Sequence, residues 1–242
     1  MKTLFLIAIA AGFAGAQTRN VGPVPKYEVK RAKGRIAING LLDDEAWRHA
    51  TPAVEFVFPW DNQTGAKQKT RAKLLWDSEY LYVGYECDDE DIVAVFGQRD
   101  DPTYRDDAVE IFIHPGPKYK LYWGFEMNAK AIMYDYISVP GVVHLTDSDV
   151  PGSMLATTIR GTLNQRGDKD QGWTLELAIP WRAFRDFSGT PLPPKAGDVW
   201  RANLNRWDGV EPNRRLSQWS DSALNTPNPH NPERFGELLF VE

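Results

Sequence analysis

The sequence contains few of the residues that build disulfide, zinc or covalent haem sites. Cys87 is the only cysteine among 242 residues, so the chain cannot form an internal disulfide bond and depends on its core for stability. The four histidines lack zinc-ligand spacing, and neither a C-x-x-C-H motif nor a glycine-rich phosphate loop is present. These absences exclude a disulfide scaffold, covalently attached haem and a phosphate-loop nucleotide site.

An excess of positive charge is also missing. The chain carries 28 Lys and Arg against 33 Asp and Glu, a formal net charge of -5, and its basic residues are scattered. A nucleic-acid partner requires a basic patch or stripe. We therefore expect no nucleic-acid binding.

Only the N-terminus has an apolar run, over residues 4–13, and a membrane-spanning helix needs about twenty such residues. Lys2 precedes this run and the sequence Ala-Gly-Ala follows it at 14–16, which is the order of a secretory signal peptide. We predict a cleaved signal peptide over 1–16 and a secreted or periplasmic protein that does not insert into the membrane after cleavage.

Short strand-like segments, separated by Gly, Pro, Asn and Asp, fill most of the remaining chain. After a flexible lead-in over 17–33, we predict one all-β domain over 34–242. The expected fold is an antiparallel, jelly-roll-like β-sandwich with one or two short helices, present as a monomer. N-cap and acidic residues at 43–47 predict a short helix, and 217–234 is expected to be a long loop. The predicted strands are 34–39, 70–76, 80–88, 107–114, 119–128, 131–139, 155–163, 173–179, 199–207 and 235–241.

Several of these strands alternate apolar residues with hydrogen-bonding ones. Glu110 alternates with Val109 and Ile111, and Arg201 and Asn203 alternate with apolar neighbours. Planar carboxylate, amide and guanidinium groups suit sugar hydroxyls, which both donate and accept hydrogen bonds. An ordinary solvent-exposed sheet face would give the same alternation. The pattern is compatible with a carbohydrate site but does not require one.

Several segments, in order, resemble carbohydrate-binding module family 9, a β-sandwich family. Together they span nearly all of the chain after the predicted signal peptide. They are INGLLDDEAW (38–47), LWDSEYLYV (75–83), RDDAVEIFI (105–113), WTLELAIPW (173–181), WRAN (200–203), WSD (219–221) and HNPERFG (230–236).

The resemblance implies a sugar held between two aromatic side chains and oriented by polar residues of the sheet. Trp219 is similar to one wall of this clamp, and Tyr104 stands where the opposing wall is usually Trp. Glu110 matches a carboxylate that accepts hydrogen bonds from sugar hydroxyls, and Asn203 falls near an amide with the same task. Glu126 falls where better-understood members carry Arg.

Arg201 completes the predicted ligand-binding set. Two alternatives remain for these residues: Glu110 pairs with Arg201 across strands, and Trp219 caps the core. The resemblance implies non-catalytic binding of a poly- or oligosaccharide, such as the ends of xylan or glucan chains, in support of extracellular polysaccharide breakdown.

Three further chemistries are open. The acidic run that contains Asp88, Asp89 and Asp91 could supply oxygen ligands to calcium, which members of the resembling family carry, although no cofactor is required for sugar binding. A haem b redox domain would need axial ligands, for which the candidates are Met127, Met133, Met154, His114 and His144. A glycoside hydrolase would need two carboxylates about 5–10 Å apart, and no segment indicates such a positioned pair.

Overall fold

The structure is a computed structural model that describes residues 18–52, 54–116, 120–146, 148–186 and 188–242. The predicted signal peptide over 1–16 lies outside the described residues. Within the described part of the chain, no helix combines the length and the apolar content that a membrane span requires.

The described chain is nearly all β, as predicted. Its one α-helix, α1 (Glu45–His49), lies where the sequence predicted a short helix, and short 3-10 helices occupy Thr103–Arg105, Trp181–Phe184 and Pro232–Arg234. The strands are β1 (Lys26–Arg31), β2 (Val54–Glu55), β3 (Thr70–Trp76), β4 (Tyr80–Asp88), β5 (Ala108–His114), β6 (Tyr122–Asn128), β7 (Met133–Val139), β8 (Val143–Leu145), β9 (Met154–Arg160), β10 (Gly172–Pro180), β11 (Val199–Asp208), β12 (Arg215–Gln218) and β13 (Gly236–Val241).

The strands form one curled sheet in the order β8-β7-β6-β5-β11-β13-β1-β3-β4-β10-β9, with β12 beside β11 and β2 beside β3. We call β5–β8, β11 and β12 the front sheet, and β3, β4, β9 and β10 the back sheet. The two are joined through β13 and β1. Residues of both sheets share one apolar core, and the hydroxyl of Tyr85 on β4 donates to the carbonyl oxygen of Glu110 on β5 at 2.9 Å. The fold is therefore a β-sandwich, which confirms the predicted class.

Alternation along the central strands fills this core, because successive side chains of a strand point to opposite faces. Val109, Ile111 and Ile113 of β5 are fully buried in it. The corresponding side chains of β6, β10 and β11 join them: Trp123, Phe125, Met127, Trp173, Leu175, Leu177, Ile179, Trp200, Ala202 and Leu204.

Strand β1 corrects the flexible lead-in predicted for 17–33. It pairs in parallel with β13 and with β3, so the sheet is not purely antiparallel. Tyr27 and Val29 are buried, and the Tyr27 hydroxyl donates to the carbonyl oxygen of Thr51 and accepts from the amide of Leu74. This alternation of apolar residues orders the segment.

The strand predicted at 34–39 is absent, because the hydrogen bonds of this segment go to side chains. The amides of Asn39 and Gly40 both donate to Glu176 Oε2 at 2.8 Å, and the amide of Ala37 donates to Asp44 Oδ2. The other oxygen of Glu176 accepts from the indole N–H of Trp47. One buried carboxylate of β10 thus fastens the segment 37–47 to the outside of the back sheet.

The loop predicted at 217–234 is partly ordered as β12 and as the 3-10 helix Pro232–Arg234. Between them, residues 219–224 are mostly buried against the front sheet. The outer face of β11 is therefore covered by the chain's own backbone, where the sequence had suggested an open polar face.

Candidate functional site

A row of side chains crosses the front sheet on the face away from the core. Strand register places Tyr134 of β7 opposite Glu126 of β6, Glu126 opposite Glu110 of β5, and Glu110 opposite Asn205 of β11. Directly opposed residues of antiparallel strands have Cβ atoms about 4.5–5.5 Å apart. The sheet therefore sets two carboxyl groups side by side, with a phenol at one end and an amide at the other.

A cavity of about 460 Å³ opens above this row. Its size is in the range of small-molecule sites, about 300–1,000 Å³. The 3-10 helix at Thr103–Arg105, the end of β11, the β8 region and the segment 227–230 form its walls. The lining residues are Tyr104, Glu110, Glu126, Tyr134, Tyr136, His144, Thr146, Trp207, Arg214, Pro227, Asn228, Pro229 and His230.

Tyr136 lies over a glycine of the neighbouring strand. A Cβ atom at Gly124 would come 2.3 Å from the phenol ring, so only glycine leaves room for this ring. The Tyr136 hydroxyl donates to Glu126 Oε1 at 2.8 Å. This fit fixes the position of one of the two carboxyl groups.

Each carboxyl group keeps one oxygen without a hydrogen-bond partner. Glu110 and Glu126 are 1% and 3% exposed, and Oε2 of each makes no hydrogen bond within the described part of the protein. Burial raises the pKa of Glu110 to about 7, opposed by the charge of Arg214 and by the Asn205 and Trp207 side chains. Burial, and then the charge of Glu110, raise the pKa of Glu126 well above its ordinary range. Buried unpaired acceptors are costly, so these two oxygens indicate a ligand that donates hydrogen bonds.

Arg214 occupies one wall of the cavity, and its charge acts on Glu110 without an ion pair to either carboxyl group among the described residues. Its guanidinium carbon lies 4.5 Å from the centroid of the Trp207 ring, so it covers one indole face. One terminal nitrogen donates to the carbonyl oxygens of Tyr104 and Asp106, and Nε has no partner. The guanidinium therefore offers one more unused donor in the same wall.

The two histidines of the cavity are kept neutral by burial. His230 stacks on Phe112 with ring centroids 4.9 Å apart, and its Nδ1 lies 2.7 Å from the hydroxyl oxygen of Tyr122. Burial lowers the pKa of His230 to about 3, and burial also lowers the pKa of His144. His144 packs on Tyr136, with centroids 4.7 Å apart. The aromatic end of the cavity is thus uncharged at neutral pH.

The structure brings together three of the predicted site residues: Tyr104, Glu110 and Glu126 all line the cavity. Trp219 does not join them. It is 6% exposed and packs in the core, where a Cβ on Gly236 would come within 2.5 Å of its ring. The predicted clamp between Trp219 and Tyr104 is therefore not formed, and Trp219 caps the core.

Asn203 and Arg201 are also placed elsewhere. Asn203 is fully buried: its amide nitrogen donates to the Ser220 carbonyl, and its amide oxygen accepts from the Ser220 and Leu204 amides. Arg201 lies opposite His114 and outside the cavity, so it does not pair with Glu110. Asn203 binds the covering loop to β11 and has no free group for a ligand.

Trp207 and Arg214 are cavity residues that the sequence reasoning missed. Trp207 continues the alternation of Arg201, Asn203 and Asn205 along β11, so its parity alone placed it on the outer face. No comparable signal exists for Arg214, which lies between strands and reaches the site only through the fold.

The predicted calcium ligands do not gather as a group. Asp89 lies with Asp107 and Asp208 in a cluster of buried carboxylates, whereas Asp91 pairs with Arg166 and Asp88 stays on β4. Arg206 already lies in this cluster, and one of its nitrogens contacts both Asp89, at 2.8 Å, and Asp208.

The remaining oxygens of this cluster also have donors. Asp107 accepts from the amides of Val93 and Gly209, each at 2.6 Å, and Asp89 accepts from the indole of Trp173. Calcium takes six to eight oxygen ligands, which these carboxylates, already bound to N–H donors, do not supply. The cluster therefore fits Arg206 and does not fit a calcium ion.

The haem alternative finds no support. Met127 and Met133 are buried in the core, and Met154 lies on the edge strand β9. Of the candidate axial ligands, only His144 lines the cavity. A methionine–histidine or bis-histidine pair from the candidate set therefore does not face this space.

The fold and the cavity define a β-sandwich of the ligand-binding type, with an aromatic and acidic pocket on one sheet. The family model described as "Carbohydrate family 9 binding domain-like" matches residues 38–242. The chain belongs to this family, which confirms the resemblance seen in the sequence. No curated protein is similar enough to count as a match.

Several solved structures share the fold, among them the following three. A Bacteroides uniformis protein for which carbohydrate binding has been proposed is 18% identical, with a TM-score of 0.75 over 90% of this chain and 99% of its own. A carbohydrate-binding module family 9 protein from Caldicellulosiruptor kristjanssonii, in complex with cellotriose, is 20% identical, with a TM-score of 0.58 over 89% of this chain and 93% of its own. A family 9 module from the same organism, in complex with glucose, is 19% identical, with a TM-score of 0.57 over 88% of this chain and 95% of its own. At these identities the likeness concerns the fold alone.

Proposed function

We propose that the cavity above Glu110 and Glu126 binds the end of an oligo- or polysaccharide without chemical change. The observation that supports this most directly is the pair of buried carboxyl oxygens that have no protein donor and lie beside aromatic rings. Sugar hydroxyls are the donors that such oxygens lack, and each hydrogen bond of this kind contributes about 0.5–1.5 kcal/mol.

The aromatic rings of the cavity suit the other face of a sugar. Pyranose rings carry C–H groups that pack against flat apolar surfaces, and Tyr104 and Tyr134 offer such surfaces with centroids 5.9 Å apart. A cavity closed on one side by the sheet and the segment 227–230 favours a chain end over the middle of a chain.

The related structures support the same class of ligand. Two family 9 structures from Caldicellulosiruptor kristjanssonii hold cellotriose and glucose, so a β-linked glucan is the first ligand to test here, and xylan is the second. In our proposal the protein is exported, works as a monomer without a required cofactor, and supports polysaccharide breakdown by separate enzymes. The binding itself needs no group to change its protonation state.

Replacing Tyr104 tests the site with little risk to the fold. Its half-buried ring lines the cavity, whereas the backbone carbonyl that holds Arg214 is kept in Tyr104→Ala. We expect this variant to lose at least about tenfold in cellotriose affinity, equivalent to about 1.4 kcal/mol, by isothermal titration calorimetry.

The matched control is Tyr80→Ala, a half-buried tyrosine at the start of β4 on the back sheet. It should bind cellotriose as the wild type does. Equal affinities for Tyr104→Ala and wild type, with both folded by circular dichroism, would move the binding site away from this cavity. If wild-type protein retained neither cellotriose nor xylan oligomers, the proposed function would be lost.

A further inference from the structure

Neither Glu110 nor Glu126 forms an ion pair among the described residues. Arg214 lines the same cavity and its charge opposes the rise in the pKa of Glu110, but its hydrogen bonds go to backbone carbonyls, so Oε2 of each carboxyl group stays without a donor. By contrast, the buried Asp89 and Asp208 are paired with Arg206 at close range. A buried carboxyl group either pairs with a cation or keeps its proton, and here the position beside the pair faces an open cavity.

The surrounding groups favour a cation from outside the protein. The histidines His144 and His230 are held neutral by burial and cannot supply the charge. Four aromatic side chains line the same cavity: Tyr104, Tyr134, Tyr136 and Trp207. The rings of Tyr134 and Tyr136 lie 5.3 Å apart, and rings gathered in this way stabilise a ligand cation through their negative faces.

We propose that the preferred ligand of this cavity is an amino sugar, whose protonated amine lies between Glu110 and Glu126 and against the tyrosine rings. The inference rests on the proposed carbohydrate-binding function and names its substrate class. An ammonium group has three donors, enough for the unpartnered oxygen of each carboxyl group and a third acceptor. Its charge takes the place of the protons that burial otherwise keeps on these carboxyl groups, which a neutral hydroxyl cannot do.

The preference can be measured with three β-1,4-linked trimers that differ only at carbon 2. These are cellotriose with a hydroxyl, the glucosamine trimer with an amine, and the N-acetylglucosamine trimer with an amide. At about pH 6, where an amine of this type is protonated, we expect the glucosamine trimer to bind wild-type protein at least about tenfold more tightly than cellotriose. The acetylated trimer should bind most weakly, because acetylation removes the charge and adds bulk.

The charge of the protein is tested with Glu126→Gln, which keeps the shape of the side chain. This variant should bring the ratio of the glucosamine-trimer and cellotriose affinities close to one. Glu79→Gln, at an exposed position before β4, is the control and should keep the wild-type ratio. Added salt should also lower the ratio in wild-type protein, because the gain comes from charge.

The outcomes separate this inference from the proposed function. Cellotriose binding as tight as or tighter than glucosamine-trimer binding overturns the amine preference and leaves carbohydrate binding in place. An unchanged ratio in a folded Glu126→Gln protein overturns the assignment of the amine to this pair. The absence of binding to all three trimers removes both proposals together.

Discussion

Glu110 and Glu126 make the protein's stability depend on pH in a predictable direction. In the folded state, burial raises the pKa of Glu110 from 4.5 to about 7. An acid with a raised pKa binds its proton more tightly when folded, so its contribution to stability is complete below about pH 4.5 and is lost as the pH rises through about 7. At neutral and alkaline pH, the buried carboxyl groups of the site therefore lower the free energy of unfolding.

Replacing the ionisable group at position 110 should weaken the pH dependence of the free energy of unfolding. In Glu110→Gln the side chain stays neutral, so between pH 4 and pH 8 the wild type should lose up to about 3 kcal/mol more of its free energy of unfolding than the variant. Urea unfolding at both pH values measures the difference. A variant whose stability falls as steeply as that of the wild type would show that Glu110 does not carry the shift.

At the same scale, the sequence identified part of the site and missed the rest. The resemblance to family 9, together with parity along β5, named Tyr104, Glu110 and Glu126, and the structure places all three at one cavity. Trp219 was wrongly expected there, because nothing in a local motif distinguishes an indole that packs on Gly236 in the core from one that lines a cavity. Arg214 lies in the loop of the β11–β12 hairpin and packs on Trp207 and the carbonyl of Asp106, which no local pattern encodes.

One glycine of β6, Gly124, makes room for the Tyr136 ring of β7. Because Gly124 lies under the Tyr136 ring, the Tyr136 hydroxyl reaches Glu126. The element that positions the carboxyl group is therefore the strand pair and not a flexible loop.

Gly124→Ala should disturb this pairing. The added methyl group would lie 2.3 Å from the ring, so Tyr136 must move and its hydrogen bond to Glu126 must weaken. We expect a loss of about 1–3 kcal/mol in unfolding free energy and weaker binding of the trimer ligand. Gly97→Ala is the control, because no atom lies within 4 Å of its added Cβ, and it should behave like wild type. Equal stability of the two variants would contradict the fit.

Among the elements, those with regular alternation were predicted well, and those that depend on remote partners were not. Nine of the ten expected strands appear, with bounds that differ by a few residues. The segment 34–39 has strand-like composition, but the backbone amides of Asn39 and Gly40 at its end donate to Glu176 of β10, which is far away in sequence. Strand β1 was missed although Tyr27 and Val29 alternate, because the polar residues around it suggested a mobile lead-in.

For the whole molecule, Arg206 links the front and back sheets. It extends from β11 to the carbonyl oxygen of Asp88 at 2.8 Å, the Thr70 hydroxyl at 3.3 Å and the Asp89 carboxylate, all of which follow or belong to back-sheet strands. The charges of Asp208 and Asp89 raise the pKa of this guanidinium against the opposing effect of burial. The cation that holds these acids together is thus part of the chain.

Two expectations follow for stability as a whole. Excess EDTA should leave the melting temperature unchanged, because Arg206 already lies between Asp89 and Asp208, where a metal ion would otherwise bind. Arg206→Gln should lower the free energy of unfolding by about 3–5 kcal/mol, since it leaves buried carboxylates without their cation. Arg201→Gln, a half-buried arginine of the same strand, should change it by less than about 1 kcal/mol. A clear fall of the melting temperature in EDTA that calcium reverses would instead make a metal ion part of the fold.

The parallel pairing of β1 with β13 has a mechanical consequence. Because both strands run the same way, the polypeptide enters β1 at one end of the pair and leaves β13 at the other. A force applied between these two points acts along the strands. The hydrogen bonds between residues 26–30 of β1 and 237–241 of β13 are then loaded in shear and must break together. This shear geometry would raise the mechanical stability of a protein that is bound to a polymer under flow or tension.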